Sequence, residues 1–153
     1  MTLEIGQLAP DFMLKNQFGE EVVLSQFRGD KVVVLIFYPM AFTNICTEEL
    51  CTIRDNKEHF VTDDVQVLGI SCDSSAALHA FAEKENLNFP ILSDFWPHGE
   101  ISQKYGAFFE ARGFSLRGTF IIDKEGILRW SVVNAPGDAR NHADYTEALA
   151  AIL

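Results

Sequence analysis

The sequence predicts an α/β sandwich, a central mixed β-sheet flanked by helices, with a β-hairpin at its N-terminus. Three observations predict it. Residues 32–38 (VVVLIFY) are β-branched, aliphatic or aromatic throughout, with no polar alternation, the pattern of a central strand covered on both faces. Beyond Pro39 the apolar period changes from that of a strand to that of a helix. The chain then closes on two strand-like runs around a KEG turn and a last helix, so that parallel crossovers give way to an antiparallel end.

Taken in order, residues 11–15 and 21–24 flank a turn-like NQFGE stretch and read as the hairpin. The central strand stops at Pro39, which has no N–H for a ladder. A helix is expected from Thr43 to about Phe60, because Cys46, Leu50, Ile53, Lys57 and Phe60 fall at steps of four and three. Thr43 and Asn44 suit its cap, and Glu48 and Glu49 its first turn, beside the positive end of the helix dipole. A second apolar strand follows at 65–71, then a helix from Ser74 or Ser75 to about Leu87, with Leu78, Phe81 and Ala82 on one face. A short strand at 90–93, a short helix at 98–105, a hairpin over 119–133 and a helix over 138–152 complete the order. No repeat, low-complexity tract or Pro/Gly/Ser linker interrupts it, so residues 1–153 are expected to form one domain.

Composition narrows the function classes. Hydrophobic residues make up 48% of the chain, including 13 Phe, and charged residues 22%, a globular balance. A formal net charge of −10 argues against nucleic acid and against anionic membrane surfaces as partners. The apolar run at 32–38 is far too short to span a bilayer. The start, MTLEIGQLAPDF, has neither a basic nor an apolar leader pattern. Three cysteines do not make a secreted disulfide framework, so a reducing compartment, the cytoplasm, is expected. His59, His79, His98 and His142 are scattered without zinc-ligand spacing, and no Gly-rich loop offers a phosphate cradle, so neither a metal nor another cofactor is expected.

Cys46 is the candidate nucleophile. It sits in PMAFTNIC, between the central strand and its helix. A helix start presents unpaired N–H groups and a partial positive charge, and a thiolate is an anion that both favour. Its place on the apolar stripe equally suits a small buried hydrophobe, and position alone leaves both readings open.

The segment resembles the peroxiredoxin motif P-x-x-x-T-x-x-C, with Pro39, Thr43 and Cys46 at the matching positions and Glu49 at a position where that family carries an acid. Arg117, before GTFIID, matches the family arginine, although an arginine before a strand is by itself usually a solvated residue. IGQLAPDF and SDFWPHG look like the alkyl hydroperoxide reductase E branch, and the likeness runs from about residue 5 to about residue 150. The resemblance implies a thioredoxin-like sandwich and a thiol-dependent peroxidase for hydrogen peroxide and organic hydroperoxides. Cys46 would be the peroxidatic thiol and pass through a sulfenic acid. Thr43 would hold thiolate and peroxide together, Arg117 would stabilise the developing charge, and Pro39 would shield the sulfur. It further implies a thiol reductant, of the thioredoxin or the mycoredoxin/mycothiol type, and is compatible with a homodimer.

Cys46 and Cys51 make C-x4-C, not the C-x-x-C of disulfide reductases. In peroxiredoxins resembling bacterioferritin comigratory protein, a cysteine at this spacing is the resolving thiol, whereas the alkyl hydroperoxide reductase E branch is described as using one cysteine. Cys51 falls beside Thr47, Arg54 and Asp55, a polar flank within reach of solvent, so it reads either as the resolving thiol or as an incidental one. On an ideal helix residues i and i+5 lie about 8.6 Å apart at Cα and point about 140° away from each other. A disulfide needs less than about 7 Å, so the helix start would have to unwind. Cys72 reads as a core filler. Trp96, beside Phe95 and Pro97, reads as core packing or as a wall of the active site. A thiol–disulfide oxidoreductase or a redox sensor on the same fold are the alternative functions.

Overall fold

The NQFGE turn brings together β1 (Met13–Lys15) and β2 (Glu21–Val23), which pair antiparallel and are shorter than predicted. The Asn16 side chain closes the turn by accepting from the N–H groups of Phe18 and Glu20. The computed structural model describes residues 3–60 and 62–153, except the side chains of Lys57 and His59. A 3-10 turn at Leu24–Phe27, unpredicted, leads into β3 (Val32–Phe37). All six residues of β3 are buried, as the unbroken apolar run requires.

The predicted helix over 43–60 is two helices, α1 (Asn44–Asp55) and α2 (Lys57–Phe60). Asn56 breaks it, because its amide donates to the Thr52 carbonyl at 2.7 Å and competes with the backbone there. Cys46, Leu50, Ile53 and Phe60 do form one buried face; the Lys57 side chain expected with them lies outside the described residues. Next come β4 (Val65–Ser71) and α3 (Ser75–Glu85). Ser74 caps α3 by accepting from the Ala77 N–H, and Asn86 ends it at φ 53°. Then follow β5 (Ile91–Ser93), α4 (Glu100–Lys104) and an unpredicted small hairpin, β6 (Phe108–Phe109) with β7 (Phe114–Ser115). The closing pair is β8 (Arg117–Ile122) and β9 (Leu128–Asn134), and α5 runs over His142–Ile152. Helix α5 starts at His142, just after the Asn141 cap and four residues later than predicted, which leaves 138–140 as loop.

Seven strands form one mixed sheet in the order β2-β1-β5-β4-β3-β8-β9. The centre, β3, β4 and β5, is parallel; β1 joins β5, and β8 joins β3, antiparallel. Alternate residues of β3 face two cores. Val32, Val34 and Ile36 pack with α1, α3 and α5 through Leu50, Phe81 and Leu149. Val33, Leu35 and Phe37 pack with Ile101 of α4 and with Phe12 and Leu24 of the N-terminal segment. Parallel strands direct their C-terminal ends to one edge, and the turn from β3 into α1 lies on that edge. Among the described residues, no helix is long and apolar enough to cross a membrane.

Candidate active site

Two ties shape the turn that carries Cys46. Tyr38 still bonds β4, its N–H donating to the Ile70 carbonyl at 3.0 Å, and the buried Pro39 then ends the ladder. Ala41 N–H donates to Asp73 Oδ2 at 2.9 Å, and the same oxygen accepts from Ser71 Oγ at 2.7 Å, fastening the turn to the end of β4. Thr43 occupies the N-cap position of α1, and its carbonyl accepts from the Thr47 N–H at 2.9 Å. Its hydroxyl does not cap, contrary to the capping role expected; it donates to the Met40 carbonyl at 2.8 Å.

Cys46 is the third residue of α1, within the first turn, where backbone N–H groups lack intrahelical acceptors. Its side chain is wholly buried. Arg117, the first residue of β8, is not solvated: it is buried, and its Nη1 donates to Cys46 Sγ at 3.3 Å and to Glu49 Oε1 at 2.6 Å. Its Nε donates to the Pro136 carbonyl at 2.7 Å, so the guanidinium is held from both sides. Glu49 lies beyond the first turn of α1, not within it, and points at arginines rather than at the helix end. Sequence reasoning missed the second arginine. Arg140, in the loop before α5, donates its backbone N–H to Glu49 Oε2 at 2.8 Å and places Nη1 3.4 Å from Glu49 Oε1. Its Nη2 donates to the Phe37 carbonyl, which anchors it to the end of β3. Burial lowers the Arg140 pKa from its ordinary value, and the Glu49 carboxylate opposes that. Two buried guanidiniums thus face one carboxylate beside the Cys46 sulfur, an arrangement that carries one positive charge more than Glu49 supplies in negative charge. Below them burial pushes the Tyr38 phenol up, keeping it neutral.

The other predicted residues lie elsewhere. Cys51 is half-buried on the α3 side of α1, where its Sγ donates to Glu85 Oε2 at 3.6 Å; it is not the open thiol expected. Burial pushes that thiol up, and the Glu85 carboxylate adds to the rise against the pull of Arg54. Cys72 is buried beside Ser115, as a core filler should be. Trp96 is 82% exposed, so the core-packing reading is wrong. It lines a surface depression with Met13, Lys15, Ser75 and Phe95, in the turn that follows the end of β5. Arg140 carries no motif; a charged residue between a Pro-Gly pair and a helix cap reads as ordinary loop.

A family model, the AhpC/TSA family, matches residues 5–131. Alkyl hydroperoxide reductase E of Mycobacterium tuberculosis is 44% identical over 150 residues, 98% of both chains. Peroxiredoxin Bcp of Bacillus subtilis is 41% identical over 134 residues, 84% of this chain and 83% of that one. The crystal structure of the reduced 2-Cys peroxiredoxin of Plasmodium vivax superposes with a TM-score of 0.88 at 31% identity, over 97% of this chain and 81% of that one. The sheet flanked by helices is therefore a thioredoxin fold. The chain belongs to the AhpC/TSA peroxiredoxins, thiol-dependent peroxidases that act on peroxides and are returned to the reduced state by a thiol reductant.

Proposed function

We propose that Cys46 is the peroxidatic nucleophile, and the observation that carries this is the buried Arg117 Nη1 donating to its sulfur at 3.3 Å. The thiolate attacks the terminal oxygen of hydrogen peroxide or an organic hydroperoxide. The O–O bond breaks, a sulfenic acid forms, and the departing oxygen leaves as water or an alcohol once protonated. Arg117 stabilises both the thiolate and the negative charge that grows on the departing oxygen. The Thr43 hydroxyl, its proton given to Met40, keeps lone pairs that accept from the peroxide O–H. Pro39 shields the sulfur from water, and Glu49 holds Arg117 in place.

Cys51 is the resolving thiol in this reading. Both cysteines sit in an uninterrupted α1, so the helix start unwinds before their sulfurs join. A thioredoxin or a mycoredoxin/mycothiol system then reduces the disulfide. The whole chain, 1–153, acts as one domain in a reducing compartment such as the cytoplasm, and as a homodimer that would cover exposed apolar side chains such as Phe95 and Trp96.

The test is Cys46→Ser. A serine hydroxyl is close in size but stays protonated at neutral pH, so peroxide consumption should vanish while the circular dichroism spectrum and melting temperature hold. Turnover at the wild-type rate would assign the chemistry to another residue.

A further inference from the structure

The last turn of α3 grips the peroxidatic segment at three points. Phe81, Lys84 and Glu85 share one face of α3, at i, i+3 and i+4. Ahead of α1, the Phe42 ring packs on Phe81 with centroids 5.1 Å apart, and Lys84 Nζ lies 5.7 Å from its centre. Phe42 is held at φ 69°, a left-handed conformation that bulky residues rarely adopt, so surrounding contacts must hold it there. In the middle of α1, Cys51 donates to the Glu85 carboxylate. Near its end, Arg54 Nη1 donates to the Glu85 backbone carbonyl. That carbonyl belongs to the final turn of α3, where helix geometry leaves acceptors open and a cation is favoured.

We propose that this turn of α3 is a latch on the peroxidatic helix: Glu85, by holding the Cys51 thiol, sets how fast a sulfenic acid on Cys46 is resolved rather than over-oxidised. The inference rests on the reading of Cys51 as the resolving thiol. In that step the Cys51 sulfur attacks the Cys46 sulfur. An S–S bond forms, the S–O bond breaks, and the hydroxide leaves with the thiol proton as water, so no further oxidant or reductant is needed. Cys51 cannot do this from where it sits, because an intact helix keeps the two residues too far apart and on different faces. It has to leave Glu85 first, and a thiol kept protonated by burial and a neighbouring carboxylate is also a poor nucleophile. Glu85 takes no part in the Cys46–Arg117–Glu49 network, so it is a positioning residue whose influence falls on the second step alone.

The experiment compares the wild type with Glu85→Ala and Glu85→Gln. Each is mixed with hydrogen peroxide, acid-quenched at intervals and peptide-mapped by mass spectrometry; amide hydrogen exchange of residues 46–54 is followed in the reduced proteins. Cys46 should oxidise at the wild-type rate in all three. The Cys46–Cys51 peptide should appear about three- to tenfold faster in Glu85→Ala, with α1 exchange faster by a similar factor. Glu85→Gln should fall between, since its amide oxygen still accepts from the thiol but carries no charge. An unchanged or slower disulfide step overturns the control of resolution, and unchanged exchange overturns the latch itself. If no Cys46–Cys51 peptide forms in any protein, the resolving reading fails instead. Control of resolution then falls with it, and faster exchange in Glu85→Ala alone would support the restraint on α1.

Discussion

Cys46 and Cys51 stand five residues apart in one helix, yet α1 turns them to opposite company. Cys46 meets a guanidinium held by Glu49 and by the Pro136 carbonyl. Cys51 meets a carboxylate, and burial pushes its thiol up with that carboxylate adding to the rise. Local sequence does not separate them, since each follows an aliphatic residue, Ile45 or Leu50, and each precedes a threonine, Thr47 or Thr52. What separates them is which element lies across from each: β8 and the loop before α5 for Cys46, the end of α3 for Cys51. A cysteine's reactivity is set by the charge that tertiary packing brings to it, more than by the helix it rides on.

The contrast can be broken from either side. The largest effect should come from Arg117→Ala, which removes the cation from Cys46. Peroxide attack measured by stopped flow should slow by about 100- to 1,000-fold, the scale of losing one preorganised donor at a developing charge. Arg117→Lys should recover only part, because an ammonium cannot bond the sulfur, Glu49 and Pro136 in one plane. A wild-type rate in the Ala variant would put the activation of Cys46 elsewhere.

Glu49→Gln attacks the same side indirectly. It leaves Arg117 and Arg140 buried against each other with no carboxylate between them, and chemical denaturation should show a loss of about 2–4 kcal/mol. Stability equal to the wild type would mean that the two arginines do not depend on Glu49. The smallest effect on the first step belongs to Cys51→Ser. Cys46 should oxidise at an unchanged rate, but sulfinic acid should accumulate at peroxide doses the wild type withstands. Equal sensitivity in the two proteins would leave Cys51 as a bystander and make Cys46 work alone.

Local patterns made much of the molecule legible. The VVVLIFY run, the four-and-three spacing after Thr43 and the KEG turn each reflect a short-range constraint, and the strands and helices formed where those constraints place them. The breaks were harder. Asn56 splits the long helix through a side-chain bond to Thr52, which periodicity of apolar residues does not register. The β6–β7 hairpin is two residues long on each side, below the length at which alternation can be seen, although Phe108, Phe109 and Phe114 around Gly113 were a signal to read. Trp96 was misplaced because a large apolar side chain is usually a core residue, and only the end of β5 leaves it outside.

By itself the sequence determined the sandwich, the order of its main strands and helices, and Cys46 with Thr43 at the start of a helix, because apolar period and turn residues are properties of neighbouring positions. The tertiary structure alone decided that Arg117 is buried beside a residue 71 positions away, that Arg140 reaches Glu49 across 91, and that Cys51 meets Glu85 across 34. Strand order and crossover connections bring such pairs together. The strength of each depends on burial and orientation, and neither is encoded within reach of the residues themselves.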